Sequence, residues 1–332
     1  MEIARGTPMH ASVLVATRNR PERCARCLSS VLAALPPRCE IVCVDQSDGA
    51  STRRLVPAAP GLRYVRSARR GVCAARNDAA RLAAADILLI TDDDCMVPRG
   101  WVEAWLDALA RMPAVDIGFG PVRALTPERR DGFTPEFLVP VTSTHGLDAF
   151  RRGPDATGLG ANMAIRRDAW ERIGGFDEAL GAGSRYPGAE ETDIAYRVVR
   201  SGSRLLHQAG PTVIHDGFRA RADAALLSMR YSAGAGAMYM KHIRCADRRA
   251  TEDALLTSLR MVAAPVAGLA TGRRPLGLRS LWAYVGASVS SLRLDVDRHH
   301  RRYRHPRPTH AADRITVGHP WREAARRSGG PG

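Results

Sequence analysis

The sequence predicts an α/β fold, a sheet with helices on both faces, and three observations predict it. Short runs of β-compatible apolar residues alternate with helical patterns through the first ninety-odd positions, the rhythm of a parallel sheet. Two of these runs end on acids, at Asp45 and at Asp92-Asp93-Asp94. After about Asp223 the alternation stops and only helical patterns follow.

The elements follow in order. Ser12 to Ala16 forms the first strand, and Arg18-Asn19-Arg20-Pro21 turns into a helix with Pro21 in its first turn. Cys24, Cys27, Leu28, Val31, Leu32 and Leu35 share one face of that helix. Cys24-x-x-Cys27 and Cys39-x-x-x-Cys43 superficially suggest zinc, but the same periodicity makes these sulfurs core residues pointing inward. Glu40 to Asp45 and Leu62 to Val65 are the next strands, Cys73 to Ala84 an Ala-rich helix, and Ile87 to Asp92 the fourth strand. Asp45 and Asp92 should therefore share the rim where open α/β sheets bind ligands. Leu125 to Asp155, rich in Pro, Gly, Thr and charge, reads as a long loop.

Three adjacent carboxylates repel one another, and a divalent cation such as Mn²⁺ or Mg²⁺ relieves that repulsion most directly. Farther on, Glu190, Glu191 and Asp193 fall in the first turn of a helix running to Ser201. There they complement the helix dipole, or supply a base; Asp193 and Arg197 also have the i, i+4 spacing of a helix pair.

The chain has 332 residues, enough for one large domain with an appendage or for two domains. Its 49 basic and 34 acidic residues give a net charge of +15, which favours an anionic partner. Lys241 is the only lysine in an Ala-, Arg-, Gly- and Pro-rich sequence, so compositional bias accounts for much of the arginine excess. No extended apolar segment follows Met1, and the cysteines number seven. Together these give the expectation of a reducing, cytoplasmic location.

The segments Ser12 to Pro21, Glu40 to Asp45, Arg70 to Asn77 and Asp92-Asp93-Asp94 occur in the order and spacing of family 2 glycosyltransferases. Gly160 to Ala164, Gly174 to Asp177 and Glu190 to Arg197 continue the series, so the likeness spans about residues 10–220. The sequence thus resembles that family, which implies a GT-A, Rossmann-like sheet. It also implies inverting transfer from a nucleoside diphosphate sugar, expected as a UDP-sugar, to an acceptor hydroxyl. The pathway implied is cell-surface polysaccharide or glycolipid synthesis, with a glycan or lipid-linked acceptor.

The resemblance also implies roles for residues. Thr17, Arg18, Asn19, Arg20 and Asp45 would hold base and ribose, with Arg69 and Arg76 near base and diphosphate. Asp92 would contact the ribose with Asp93 beside it, and Asp94 the metal that bridges the diphosphate. His215, which ends the short run Thr212 to Ile214, would be a second metal ligand. Glu191 would be the catalytic base, with Glu190 and Asp193 in supporting parts on the donor-sugar and acceptor side. Asn162 lines the donor sugar or shapes a turn. Two departures stand out: Gln46 replaces a frequent second Asp, and Glu191 stands where Asp is common.

The expected organisation is a catalytic domain over 10–222, a helical extension over 223–297 and a basic, disordered tail over 298–332. Leu226 to Ile243, Leu255 to Ala270 and Leu276 to Leu294 read as helices interrupted by Pro265 and by Gly272 to Pro275. With Arg230, Arg260, Arg273, Arg274 and Arg279 at their flanks, they either lie on an anionic bilayer, at the inner face of the cell membrane, or pack on the catalytic domain. A sugar-nucleotide nucleotidylyltransferase would need a Gly-rich basic triphosphate loop after the first strand, and Thr17-Arg18-Asn19-Arg20 is not one. A basic nucleic-acid-binding protein would account for the charge but not for the Asp triplet, so no specific nucleic-acid partner is expected.

Overall fold

A computed structural model describes residues 10–126, 131–152, 157–270 and 277–304. β1 (Ala11–Thr17), α1 (Pro21–Ala33), β2 (Glu40–Asp45), the short α2 (Ser51–Leu55), β3 (Leu62–Arg66), α3 (Val72–Leu82) and β4 (Ile87–Asp92) follow in turn. β1, β2 and β4 are buried almost throughout, because helices cover the sheet on both sides. Beyond β4 come β5 (Cys95–Met96), α4 (Trp101–Arg111), β6 (Val115–Phe119), β7 (Val122–Ala124), β8 (Gly132–Phe133) and β9 (Ser143–His145). Next are β10 (Met163–Arg166), α5 (Arg167–Arg172), α6 (Glu190–Arg200), β11 (Arg204–His207), β12 (Val213–His215) and β13 (Arg219–Ala220).

The main sheet has the order β3-β2-β1-β4-β10-β6-β11-β9. Its first four strands are parallel, as the alternation predicts, whereas β10 runs antiparallel to both β4 and β6. One core layer sets α1 and α4 against the sheet, with Cys24, Cys27, Leu28, Trp101 and Trp105 buried in it. The other packs α3, α5 and α6 on the opposite face around Phe119, Phe176 and Ile194. All six cysteines from Cys24 to Cys95 are buried and free. Burial raises the Cys27 thiol well above its ordinary range, and the hydrogen bond with Cys24, followed by burial, does the same for Cys43, the reverse of what a zinc thiolate needs.

The described parts of Leu125 to Asp155 are not purely loop. They include β8, β9 and a 3₁₀ turn at Leu147–Arg152, while 127–130 and 153–156 lie outside the described residues.

The three expected helices are α7 (Ala224–Arg244), α8 (Arg248–Ala270) and α9 (Leu278–Ser291). Pro265 does not end α8, which runs through it. Ala235, Met238 and Tyr239 of α7 and Tyr284 and Ala287 of α9 share a core with Ala179, Leu180 and Tyr186, so the extension is fused to the catalytic layers. A hairpin of β14 (Val296–Asp297) and β15 (Arg302–Tyr303) spans the expected boundary at 298. Tyr303 is buried there, its hydroxyl donating to the Ala237 carbonyl at 2.7 Å; its ring needs the apolar seat that α7 offers, and the surrounding Arg and His hide that need in the sequence. Residues 305–332 lie outside the described residues.

Candidate active site

Parallel register sets the site. Thr17 pairs with Asp45 across β1 and β2, and Ala16 with Asp92 across β1 and β4, so three strand ends reach one rim. Thr17 Oγ1 donates to Asp93 Oδ2 at 2.7 Å, and Arg20 Nη1 lies 3.0 Å from both Asp93 Oδ1 and Asp94 Oδ2. Burial pushes the Asp93 carboxyl up to about 6, against the pull of Arg20.

Asp94 is held from the other side by β12. That strand pairs antiparallel with β5, His215 opposite Cys95, which brings His215 Nε2 to 3.3 Å from Asp94 Oδ1. His215 Nδ1 lies 3.3 Å from the Pro135 carbonyl oxygen, which orients the ring. Gly217 leaves the space beside Nε2 open, because a Cβ there would collide with the imidazole. Burial alone would raise Asp94, but the hydrogen bond and charge of His215, with Arg20 and Arg23, hold it below the usual carboxylate range. The same partnership raises His215 against its own burial.

Asp94, Cys95 and His215 offer ligand atoms within 4.8 Å of one another. Burial raises the Cys95 thiol well above its ordinary range, so the usable donors are a carboxylate oxygen and an imidazole nitrogen. That pair fits a Mn²⁺- or Mg²⁺-type ion, which leaves other positions for water or phosphate oxygen.

On the far side of the rim, Arg76 joins two acids. Its guanidinium is buried, 2.8 Å from Asp92 Oδ1 and 3.5 Å from Glu191 Oε1, and packs 5.6 Å from the centroid of the Phe176 ring. The meeting depends on Gly160, where a Cβ would come within 2.5 Å of Arg76 Nη2 and 2.6 Å of Glu191 Oε1. Glu191 and Glu190 open α6 directly after Ala189, a non-glycine residue held at φ 65°. Such left-handed backbone costs about 1–3 kcal/mol and concentrates at functional positions. Burial, and then the charge of Glu191, push the Glu190 carboxyl up to about 8.

Several expected site residues are engaged elsewhere. Asp45 is fully buried, accepting from the Ser47 N–H and from the Tyr64 hydroxyl. Asn19, at φ 55°, exchanges hydrogen bonds with Asp48, and Arg18 lies 3.6 Å from the same acid. Arg69 is paired with Asp78 and Glu178. Gln46 donates to the Gly71 carbonyl.

Asn162 is fully buried among protein partners. Its Oδ1 accepts from the Trp101 and Trp105 indoles at 2.8 and 3.0 Å, and its Nδ2 donates to the Pro121 and Pro211 carbonyls. All four of its side-chain hydrogen-bonding positions are thereby used to pin loops. Asp193 is likewise buried, paired with Arg197, Lys241 and His242, whose charges outweigh burial and lower its carboxyl. The i, i+4 pairing with Arg197 is the reading the structure displays for it.

Arg23 and Asp48 are rim residues that the sequence reading did not single out. The signal for Arg23 was its one-turn spacing from Arg20 at the start of the helix that follows β1.

Residues 12–174 match the model of Glycosyl transferase family 2. No curated protein sequence matches the chain. Among solved structures, the mannosyltransferase PcManGT of Pyrobaculum calidifontis, in complex with GDP-Man and Mn²⁺, aligns with a TM-score of 0.55 at 22% identity, covering 85% of this chain and 86% of that one. GalNAc-T7 with UDP, GalNAc and Mn²⁺ aligns at a TM-score of 0.48 and 19% identity, over 63% of this chain and 44% of that one. S. aureus TarS aligns at 0.48 and 16%, over 67% and 38%. With the acidic rim, the sheet order and the family match in agreement, residues 12–174 form a glycosyltransferase family 2 domain and the chain has the GT-A fold.

Proposed function

We propose that the enzyme transfers a sugar from a nucleoside diphosphate donor to an acceptor hydroxyl in one inverting displacement, with Glu191 as the base. The observation that carries this reading is Arg76, whose one guanidinium joins Asp92 on the nucleotide rim to Glu191 at the opening of α6. A donor seated at Asp92 lies beside the carboxylate that meets the acceptor. The acceptor oxygen bonds to the anomeric carbon as that carbon's bond to the diphosphate oxygen breaks. The hydroxyl proton passes to Glu191, and the bonding pair leaves with the diphosphate. Base catalysis of this kind contributes ~10²–10⁴ in rate.

Asp94 and His215 would hold a divalent cation, which would supply Lewis-acid stabilisation of the charge on the departing diphosphate. Arg20 and Arg23, 3.0 and 3.7 Å from Asp94, bring positive charge to the same place. Thr17 and Arg20 hold Asp93 in place, and the same guanidinium nitrogen ties it to Asp94. Arg18, Asn19 and Asp45, with Arg69 behind them, shape the seat for base and ribose. The acceptor is a glycan or a lipid-linked glycan.

A thermal-shift panel of nucleoside diphosphates and their sugars, with and without Mn²⁺, tests the reading. A ligand at 100 times its Kd stabilises by about 2.7 kcal/mol. UDP-sugars, the class the sequence resemblance leads to, are set against GDP-mannose, which the P. calidifontis enzyme holds. A stabilising response to one base, dependent on Mn²⁺, supports the reading; no response to any nucleotide contradicts it.

A further inference from the structure

Two helices of the extension keep an apolar stripe in solvent. On α8, Leu255, Leu259 and Val262 recur at helical spacing, and on α9 so do Trp282, Val285 and Val289. All six are exposed, Trp282 to 74% and Leu255 to 61%. The opposite face of α9, with Tyr284, Ala287 and Ser291, is the one buried within the extension. Each stripe is therefore apolar surface left over after the extension has packed on the catalytic domain.

Charge identifies what covers them. From 254 to 294 the sequence has no Asp or Glu, and its charged residues are Arg260, Arg273, Arg274, Arg279 and Arg293. At about 100° per residue, Arg279 falls along one border of the α9 stripe, and Arg293 follows just after the helix ends. Apart from Glu252 in the first turns of α8, where it pairs with Arg248 and Arg151, these apolar stripes are flanked by cations, which complements an anionic lipid surface where side chains enter the acyl boundary and guanidinium groups meet phosphate. Trp282 has the amphipathic ring that settles at such an interface. Among the described residues no helix is long and apolar enough to cross a membrane, so the contact this face can make is lateral.

We propose that the exposed faces of α8 and α9 form a monotopic docking surface for anionic lipid bilayers. The surface is separate from the catalytic rim, and the inference does not depend on which sugar the enzyme transfers.

Flotation of the full chain tests it, using phosphatidylcholine vesicles and vesicles of phosphatidylcholine mixed with phosphatidylglycerol. The expected result is binding to the mixed vesicles at least about tenfold tighter than to the neutral ones, weakened by salt. Leu259→Glu/Trp282→Glu/Val289→Glu should lose at least about tenfold of that binding. A thermal melt checks that this variant folds, and Arg279→Ser/Arg293→Ser, which leaves the stripe intact, should lose most of the preference for phosphatidylglycerol. Absence of wild-type flotation, equal binding to both vesicles, or undiminished binding of both variants overturns the proposal. So does a wild-type dimer in sedimentation velocity that the triple variant turns into a monomer with vesicle binding unchanged, since a second copy would then be the occupant.

Discussion

Lys241 Nζ lies 2.6 Å from Asp193 Oδ1, and both side chains are almost wholly withdrawn from solvent. The same ammonium is 2.6 Å from Asp177 Oδ2, whose carboxylate also accepts from the Tyr303 N–H. The sole lysine of the chain therefore ties α7 and the C-terminal hairpin to the helix that opens with Glu190 and Glu191. A buried ion pair adds little when formed but costs heavily when half of it is removed.

Lys241→Met should therefore cost about 3–5 kcal/mol of stability, because two buried carboxylates lose a shared cation. Denaturant unfolding measures this, and a loss under about 1 kcal/mol would show that Arg197, His242 and Tyr303 suffice without the lysine.

Glu190 gives a pH signature. Its folded carboxyl is raised from 4.5 to about 8 by burial and by Glu191, so the folded state holds the proton more tightly than the unfolded chain. The stability this contributes is complete below the unfolded value and is lost as pH rises toward about 8. Glu190→Gln should escape that loss, raising Tm relative to wild type by more at about pH 8 than at about pH 5. A Tm difference that is flat across this range contradicts the assignment.

Gly160→Ala should reduce kcat by about tenfold or more with a small change in Tm, because the methyl would push Arg76 and Glu191 apart rather than open the core. An alanine variant with wild-type kcat would show that the close approach of these two groups is dispensable.

Asp94→Ala should abolish transfer together with the Mn²⁺ dependence of nucleotide binding, and His215→Ala should weaken the same dependence. Full wild-type activity in excess EDTA would remove the cation from the account.

Much of this site was legible in the sequence because strand periodicity carries it. An apolar run such as Ile87 to Ile90 announces where its final acids emerge, and Asp45 and Asp92 do share a rim. His215 was reachable the same way, as the end of a short strand. Tertiary partners were not legible. Asp193 reads as one of three acids at a helix start, and only the fold brings Lys241, 48 positions later, against it. Asn162 reads as a turn residue beside glycines, yet two tryptophan indoles from α4 claim its oxygen. The hairpin at 296–303 was masked by its Arg and His content, since one buried Tyr303 gives no period to detect.

The central claim, that Glu191 is the base, is tested most directly by comparing the kinetics of Glu191→Gln and Glu190→Gln with nucleotide affinity measured alongside. The account predicts that Glu191→Gln lowers kcat by ~10² or more while donor nucleotide binds with nearly unchanged affinity, and that Glu190→Gln costs distinctly less. The reverse order would move the base to Glu190, and equal loss of nucleotide binding in both variants would make this helix start part of the donor seat instead.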